Sequence, residues 1–302
     1  MRPFLGIRAR IALMAGLVLV GSSWARAAGA QSYEGARLLS LAEAQRALVT
    51  GNDALYVNAA GIALANAYSI EVGGMHDLGE IDRRFNLSII DSHDKPVGGG
   101  VGYTFREYLV AKEGGEERVR SVHRVDLSLA MRLADTAALG VTARYLHVGE
   151  NLGEVDVDER SFGLFTLDAG LQWQSASGLA AGVTAYNLTN PDHPETPISW
   201  GAGAAYRLDP FSVEADIRYN AKIGKPLFQL GLTLTVAQVV PIRAGISYDR
   251  ATESAAFSVG LGYMSPEFGI DLGFRQKITG SVAPGLDSDR ILALAIRGVP
   301  FS

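Results

Sequence analysis

The groups that could do chemistry in these 302 residues are few and scattered. There is no Cys, so thiol catalysis and a disulfide framework are excluded. The five His are His76, His93, His123, His147 and His193. His147, with the nearby carboxylates Asp156 and Asp158, has the makings of an Asp–His hydrolytic pair. A Ser nucleophile in a Gly-x-Ser-x-Gly elbow is missing, and Gly245-Ile246-Ser247 reads as plain strand alternation. The His spacing does not suit a metal, so no metal and no cofactor are expected. The run Gly98-Gly99-Gly100-Val101-Gly102 lacks the helix start that a phosphate-cradling loop needs. It continues into Tyr103-Thr104-Phe105 as strand, which suits small residues beside a closely packed segment. Glu113, Glu116 and Glu117, and Glu150, Glu154, Asp156, Asp158 and Glu159, form two acidic runs. They read as solvated loops rather than Ca²⁺ sites. A net charge of -5 argues against general nucleic-acid binding. These residues favour a chain that is not an enzyme.

The elements that position them start after residue 30. Arg2, Arg8 and Arg10, the apolar run Ile11 to Val20 and the small residues Ala25 to Ala30 have the layout of an export signal. The apolar run is half of the roughly 20 residues that a spanning helix requires. No later segment is apolar enough for such a helix. A membrane location therefore demands a closed barrel, in which every backbone group is paired.

From Tyr68 onward the hydrophobic period is two. In Phe228 to Val236 every even position is large and apolar and every odd one is small or polar. The same holds in Phe268 to Arg275, Phe211 to Tyr219, Phe257 to Tyr263 and Phe165 to Trp173, with aromatics at both ends of the apolar face. The pattern predicts antiparallel strands near 68-77, 83-91, 97-110, 119-133, 136-149, 160-174, 178-188, 198-207, 211-220, 226-236, 241-249, 254-264, 267-276 and 289-298. These segments are longer than the usual soluble strand of about 5–6 residues. Connections after odd strands are long and those after even strands are mostly tight, as in outer-membrane barrels. The fold expected is all-β: a transmembrane antiparallel β-barrel of about 14 strands in the bacterial outer membrane. An even count puts both termini on one side, the periplasm.

The polar face of those strands supplies the lumen. Its charges are Glu71, Arg124, Asp126, Arg132, Asp168, Glu214, Asp216, Arg218, Arg243, Asp271 and Arg275, with Arg144 and Arg207 beside them. Both signs are present, so the set either braces the wall by pairing or lines a polar path. A single sign would have implied ion selectivity.

Ahead of the strands, residues 34 to 50 read as one helix. Ser40 and Glu43 have capping-box spacing, and Leu38, Leu41, Ala44 and Leu48 lie near one face. Gly51 ends it, and Ala54 to Ala67 is irregular or partly helical. The run from Gly51 to Ala63, with Asn58-Ala59-Ala60-Gly61 at its centre, resembles the N-terminal signature of the outer-membrane long-chain fatty-acid transporter (FadL-like) superfamily, which includes PorV-like relatives. The resemblance implies a 14-stranded barrel whose N-terminal segment plugs the lumen. It places Asn58, Ala59, Ala60 and Gly61 in that plug. Ala59 stands where the family has Pro. Phe301, next to last, follows the alternating Leu292, Leu294 and Ile296, a pattern similar to that read by the barrel-assembly machinery.

The organisation expected is a signal peptide over 1-30, an N-terminal helix and plug over 31-67, and an outer-membrane barrel over 68-302. The function expected is passive transport of small hydrophobic molecules, with outer-membrane lipid, a small hydrophobic ligand and the assembly machinery as partners. The alternatives are a barrel acting through a protein partner in secretion or surface assembly, and an outer-membrane hydrolase.

Overall fold

The computed structural model describes residues 35–79, 81–93, 96–111, 117–151, 160–189, 193, 196–279 and 290–301. The expected export signal over 1–30, most of both acidic runs, and Asp156 and Asp158 lie outside them.

Fourteen antiparallel strands close on themselves, each paired with its sequence neighbours and β1 with β14. They are β1 (Tyr68–Asp77), β2 (Asp82–Asp91), β3 (Val97–Ala111), β4 (Glu117–Ala134), β5 (Ala137–Asn151), β6 (Arg160–Gln174) and β7 (Leu179–Tyr186). The second half is β8 (Ser199–Leu208), β9 (Phe211–Asn220), β10 (Lys225–Val236), β11 (Val240–Asp249), β12 (Ser254–Met264), β13 (Phe268–Thr279) and β14 (Arg290–Phe301). Closure removes the unpaired edge that an open sheet would leave. Tight connections such as 135–136 and 209–210 gather at one mouth, and the longer ones gather at the other.

Alternation decides what each face meets. Leu127, Leu129, Phe165, Trp173, Leu230, Leu232, Val259 and Leu272 point outward and are exposed. Asp126, Ser128, Thr166, Gln172, Gln229 and Asp271 occupy the inner positions and are buried. An apolar exterior around a polar interior inverts the soluble arrangement and matches a wall facing lipid.

What buries those inner side chains is the N-terminal segment, which lies inside the barrel. It contains α1 (Ala36–Ser40), a 3₁₀ turn (Gly51–Asp53), α2 (Ala54–Val57) and α3 (Ala60–Ala65). The single helix expected over 34–50 is not formed. α1 ends after five residues because Ala42 and Glu43 take left-handed φ angles of 51° and 67°. Such angles cost an L-residue energy that surrounding contacts must offset. Here the wall supplies them. The backbone N–H groups of Gln45 and Arg46 each donate to Asp216 at 3.0 Å, and that of Ala47 donates to Glu214. Strand carboxylates thus take the donors that a continuing helix would have used internally. Ser40 is no cap: its hydroxyl donates to the Ala36 carbonyl at 2.6 Å.

Candidate functional site

The segment fits the lumen because the wall is notched where it passes. Inward glycines mark its track. Gly273 and Gly260 face Ala36 and Ser40, and Gly245 and Gly231 face Leu41. Gly203, Gly201 and Gly182 face Arg46, Gly170 faces Asn58, and Gly140 faces Ala59 and Ala60. Gly102 and Gly100 face Tyr56 and Leu55. A methyl group at Gly182 would overlap the Arg46 carbonyl oxygen, and one at Gly140 the Ala60 nitrogen. The Gly98–Gly102 run therefore serves close approach.

Polar groups tie the segment down at several points around the barrel. Arg37 reaches Asp53 at 2.6 Å, Glu71 at 3.1 Å and Asp271 at 3.9 Å. Burial works against its charge, but the three carboxylates outweigh that and hold the guanidinium above the ordinary arginine range. Arg46 donates to Asp216 at 2.8 Å and to Gln229 at 3.0 Å. Gln172 donates to the Ala47 and Val49 carbonyls, and Gln229 to that of Ala42. Asn52 spans β1 and β2 through Ser69 and Ser88. Arg132 donates to the Ala63 carbonyl at 2.8 Å, and Tyr186 to that of Val57 at 2.6 Å.

Asn58, Ala59, Ala60 and Gly61 are all buried. The Asn58 amide donates to the Arg46 carbonyl at 2.9 Å and to the Leu171 carbonyl at 3.0 Å, and its oxygen accepts from Ala60 N. One side chain thus joins both arms of the segment to β6. Gly61 leaves room for the Val49 carbonyl. Ala59 has φ −57°, and Asn58 before it is extended at φ −156°, ψ 98°. Both suit a Pro at 59. Ala59→Pro is therefore expected to fold normally and to gain about 0.4–1 kcal/mol. A denaturation midpoint below that of the parent would contradict this.

The charges assigned to the lumen from the sequence lie at inner strand positions, and several of them pair across the two signs. Asp126 takes Arg124 at 2.7 Å and Arg144 at 2.6 Å, and Arg144 continues to Asp168 at 2.9 Å. The Arg124 guanidinium also lies 5.2 Å from the Tyr56 ring centroid, over α2. Arg243 meets Asp271 at 2.7 Å, and Arg218 meets Glu43 at 3.7 Å. Glu71, Asp216 and Glu214 serve the segment, and Arg275 is partly buried on β13.

Three features were not anticipated. The first is an apolar strip on the lumen side of β3–β6 towards the long-loop mouth. Val122, Leu146 and Val148 are buried there, with Tyr108, Phe162 and Leu164 against them. His193 stacks on Phe162 at 4.6 Å between ring centroids. Its signal was a lapse in alternation, in Leu146-His147-Val148 and Phe162-Gly163-Leu164-Phe165. The second is a thin seam in the wall. The β6–β7 ladder stops at Ala169↔Ala185, while β6 runs on to Arg160. Beyond that point Leu188 N donates to the Leu167 carbonyl, Asn187 N to Asp168 and Thr189 to the Phe165 carbonyl. A crevice lies here between the segment and the wall, lined by Tyr56, Val57, Asn58, Asp168, Ala169 and Tyr186. At about 10 Å³ it has room for a single water. The third is a cavity of about 300 Å³ at the short-turn mouth, lined from the segment by the partly buried Gln45, Leu48 and Gly51 and the exposed Thr50.

His123 and His147 are cross-strand partners on the outer face of β4 and β5, with ring centroids 6.4 Å apart. The Tyr103 hydroxyl is 2.8 Å from His123 Nδ1.

No protein-family model matches the chain, and no curated protein matches it by sequence. Solved structures do resemble it. The CymD monoaromatic hydrocarbon channel is 11% identical, with a TM-score of 0.70 over 89% of this chain and 98% of that one. A Pseudomonas aeruginosa FadL homologue is 10% identical, with a TM-score of 0.65 over 88% and 98%. The Pseudomonas putida toluene transporter TodX is 14% identical, with a TM-score of 0.64 over 88% and 96%. The structural neighbours of this chain are FadL-like hydrocarbon channels and transporters, and its 14-stranded barrel shares their fold.

Proposed function

We propose that this protein is an outer-membrane channel for the passive passage of small hydrophobic molecules, gated by the N-terminal segment. The observation that carries the reading is the apolar strip of Val122, Leu146, Val148, Phe162 and Leu164 on the lumen wall, a cluster that, unlike those around Ile90 and Ile291, includes no residue of the N-terminal segment. A water-filled pore gains nothing from such a strip, whereas an apolar solute leaving water gains about 25 cal/mol per Å² of surface it buries. The strip adjoins β6, where the β6–β7 ladder stops at Ala169↔Ala185 and a narrow crevice offers a route past the segment or through the wall. The hydrocarbon channels and toluene transporters with this fold support the same class of cargo. They lend no support to a secretion accessory or a hydrolase. In this reading Asn58 to Gly61 belong to the plug, the paired lumen charges brace the wall, and the short turns and both termini face the periplasm.

The test is uptake of labelled toluene by cells that lack other hydrophobe channels, with and without this protein. Uptake is expected to rise with the protein. Leu164→Asp, which puts a charge on the strip at a cost of several kcal/mol to an apolar solute's contact surface, is expected to lower it by about tenfold or more. Equal uptake with and without the protein would refute the reading.

A further inference from the structure

Two arginines and a histidine stand side by side on the outside of the barrel. His76 on β1 is the direct cross-strand partner of Arg83 on β2. Arg290 on β14 lies diagonally beside His76, whose direct partner on that strand is Leu292. All three are exposed and share the parity of the outward Val72, Phe85 and Leu292. Directly opposed Cβ atoms lie about 4.5–5.5 Å apart and diagonal ones about 7–8 Å, so a phosphate-sized group can reach all three side chains. Among the described residues the side chains of His76 and Arg290 make no hydrogen bond and no ion pair. Arg83 meets Glu107 at 2.7 Å and is itself 62% exposed. The carboxylates next along the chain have the inner parity. Asp77 is buried, and Asp82 is held by Arg106 at 2.7 Å and Arg84 at 3.4 Å.

The height of the three on the wall decides what they meet. Phe85 pairs with Phe105, and Tyr145 with Phe165, in an aromatic belt on the long-loop side. On β6 the two belts are marked by Phe165 and Trp173, eight positions apart. On a strand tilted about 40° that separation covers about 20 Å of membrane normal, close to the usual height of an apolar band. Arg83 is the next outward position beyond Phe85, and Arg290 the next beyond Leu292, both towards the long-loop mouth. A bilayer presents its headgroups there. A guanidinium is tolerated at that depth and costly at mid-membrane, and its planar fork suits a phosphate.

We propose that Arg290, His76 and Arg83 form a docking surface for a phosphate of the outer-leaflet glycolipid. The two guanidinium groups clasp the phosphate from either side, His76 lies between them, and the acyl chains run down over Leu292 and Phe85. Glu107 competes with the phosphate for Arg83. The inference rests on the transport reading for its orientation, which turns the long-loop mouth outward.

The test is titration of the delipidated full-length barrel in neutral detergent with fluorescent bisphosphorylated lipid A. Its dephosphorylated form and phosphatidylglycerol serve as comparison lipids. Saturable binding of the bisphosphorylated lipid is expected, at least tenfold tighter than either comparison. Arg83→Gln with Arg290→Gln should weaken it roughly 10- to 30-fold, the combined effect of two arginines at a charged membrane surface. Glu107→Gln should tighten it a few-fold, because Arg83 is released. Arg250→Gln, at an exposed arginine just past β11 and outside the cluster, should bind as the parent does. All variants should migrate as folded bands on unheated gels, since every changed side chain is on the outer surface. Equal binding by the double variant, or equal binding of the dephosphorylated lipid, would overturn the surface. Tighter binding of phosphatidylglycerol than of lipid A would overturn the choice of glycolipid. Lipid A binding as expected, with no effect of the protein on cellular toluene uptake, would instead refute the transport reading and leave the surface standing.

Discussion

Replacing Gly140 and Gly182 together by valine is expected to expel the N-terminal segment while the barrel itself stays closed. Valine suits a strand, so the wall has no reason to fail. The added side chains fall on the segment's backbone, at Ala59–Ala60 and at Arg46–Ala47. Backbone cannot swing aside as a flexible side chain does. Overpacking of this kind costs about 1–3 kcal/mol per site, before the anchors nearby are stretched. Those anchors, Asn58 to Leu171 and Gln172 to Ala47, sit beside the two glycines and would be lost with them. Trypsin offers the readout. Arg37 and Arg46 are 8% and 2% exposed in the parent, and cleavage after either should be slow. In the double variant both bonds should be cut rapidly, with the barrel still migrating as a folded band on unheated gels. Continued protection of Arg46 would mean that the segment does not depend on the notched wall.

Arg46→Met is expected to destabilise the protein by about 3–5 kcal/mol, the usual result of removing one partner of a buried ion pair. Asp216 would keep its two backbone donors, Gln45 N and Arg46 N, but lose the neutralising charge. Glu214 stands two residues away on the same face of β9, so two carboxylates would share a buried site with one less cation. Adding Asp216→Asn should recover part of the loss, because an amide oxygen can still accept from both N–H groups. Chemical denaturation in lipid measures both variants. A single variant within about 0.5 kcal/mol of the parent, the range of ordinary surface changes, would show that Arg46 is not an anchor.

The barrel was legible because its signal is local. A two-residue period, a small or polar residue on every second position and the rhythm of long and short connections are all local features of the sequence. The strands accordingly fall close to where alternation places them: 68–77 and 211–220 coincide, and β13 and β14 run three residues further. The interior was legible only in part. Parity placed Asp126, Asp216 and Asp271 inside, but which charge meets which depends on strands and segment brought together in space. The helix expected over 34–50 failed for the same reason. Its leucines have helical spacing, yet the donors of residues 45–47 find carboxylates some 170 positions away. Arg37 and Arg46, two cations in a segment rich in Ala and Leu, were the visible clue that this stretch needs acidic partners. The apolar strip was hidden by the rule that revealed the strands, since inner positions were expected to be polar.

The central claim is that the lumen is filled against water and ions while apolar molecules pass. Planar bilayers containing the purified barrel test it most directly, with ion current and hydrophobe flux measured on the same preparation. The structure predicts almost no ionic current from the parent, saturable flux of an apolar tracer, and ion-conducting steps once Gly140 and Gly182 are both valine. Steady ionic conductance by the parent, with no flux of the apolar tracer above that of the bare bilayer, would contradict it.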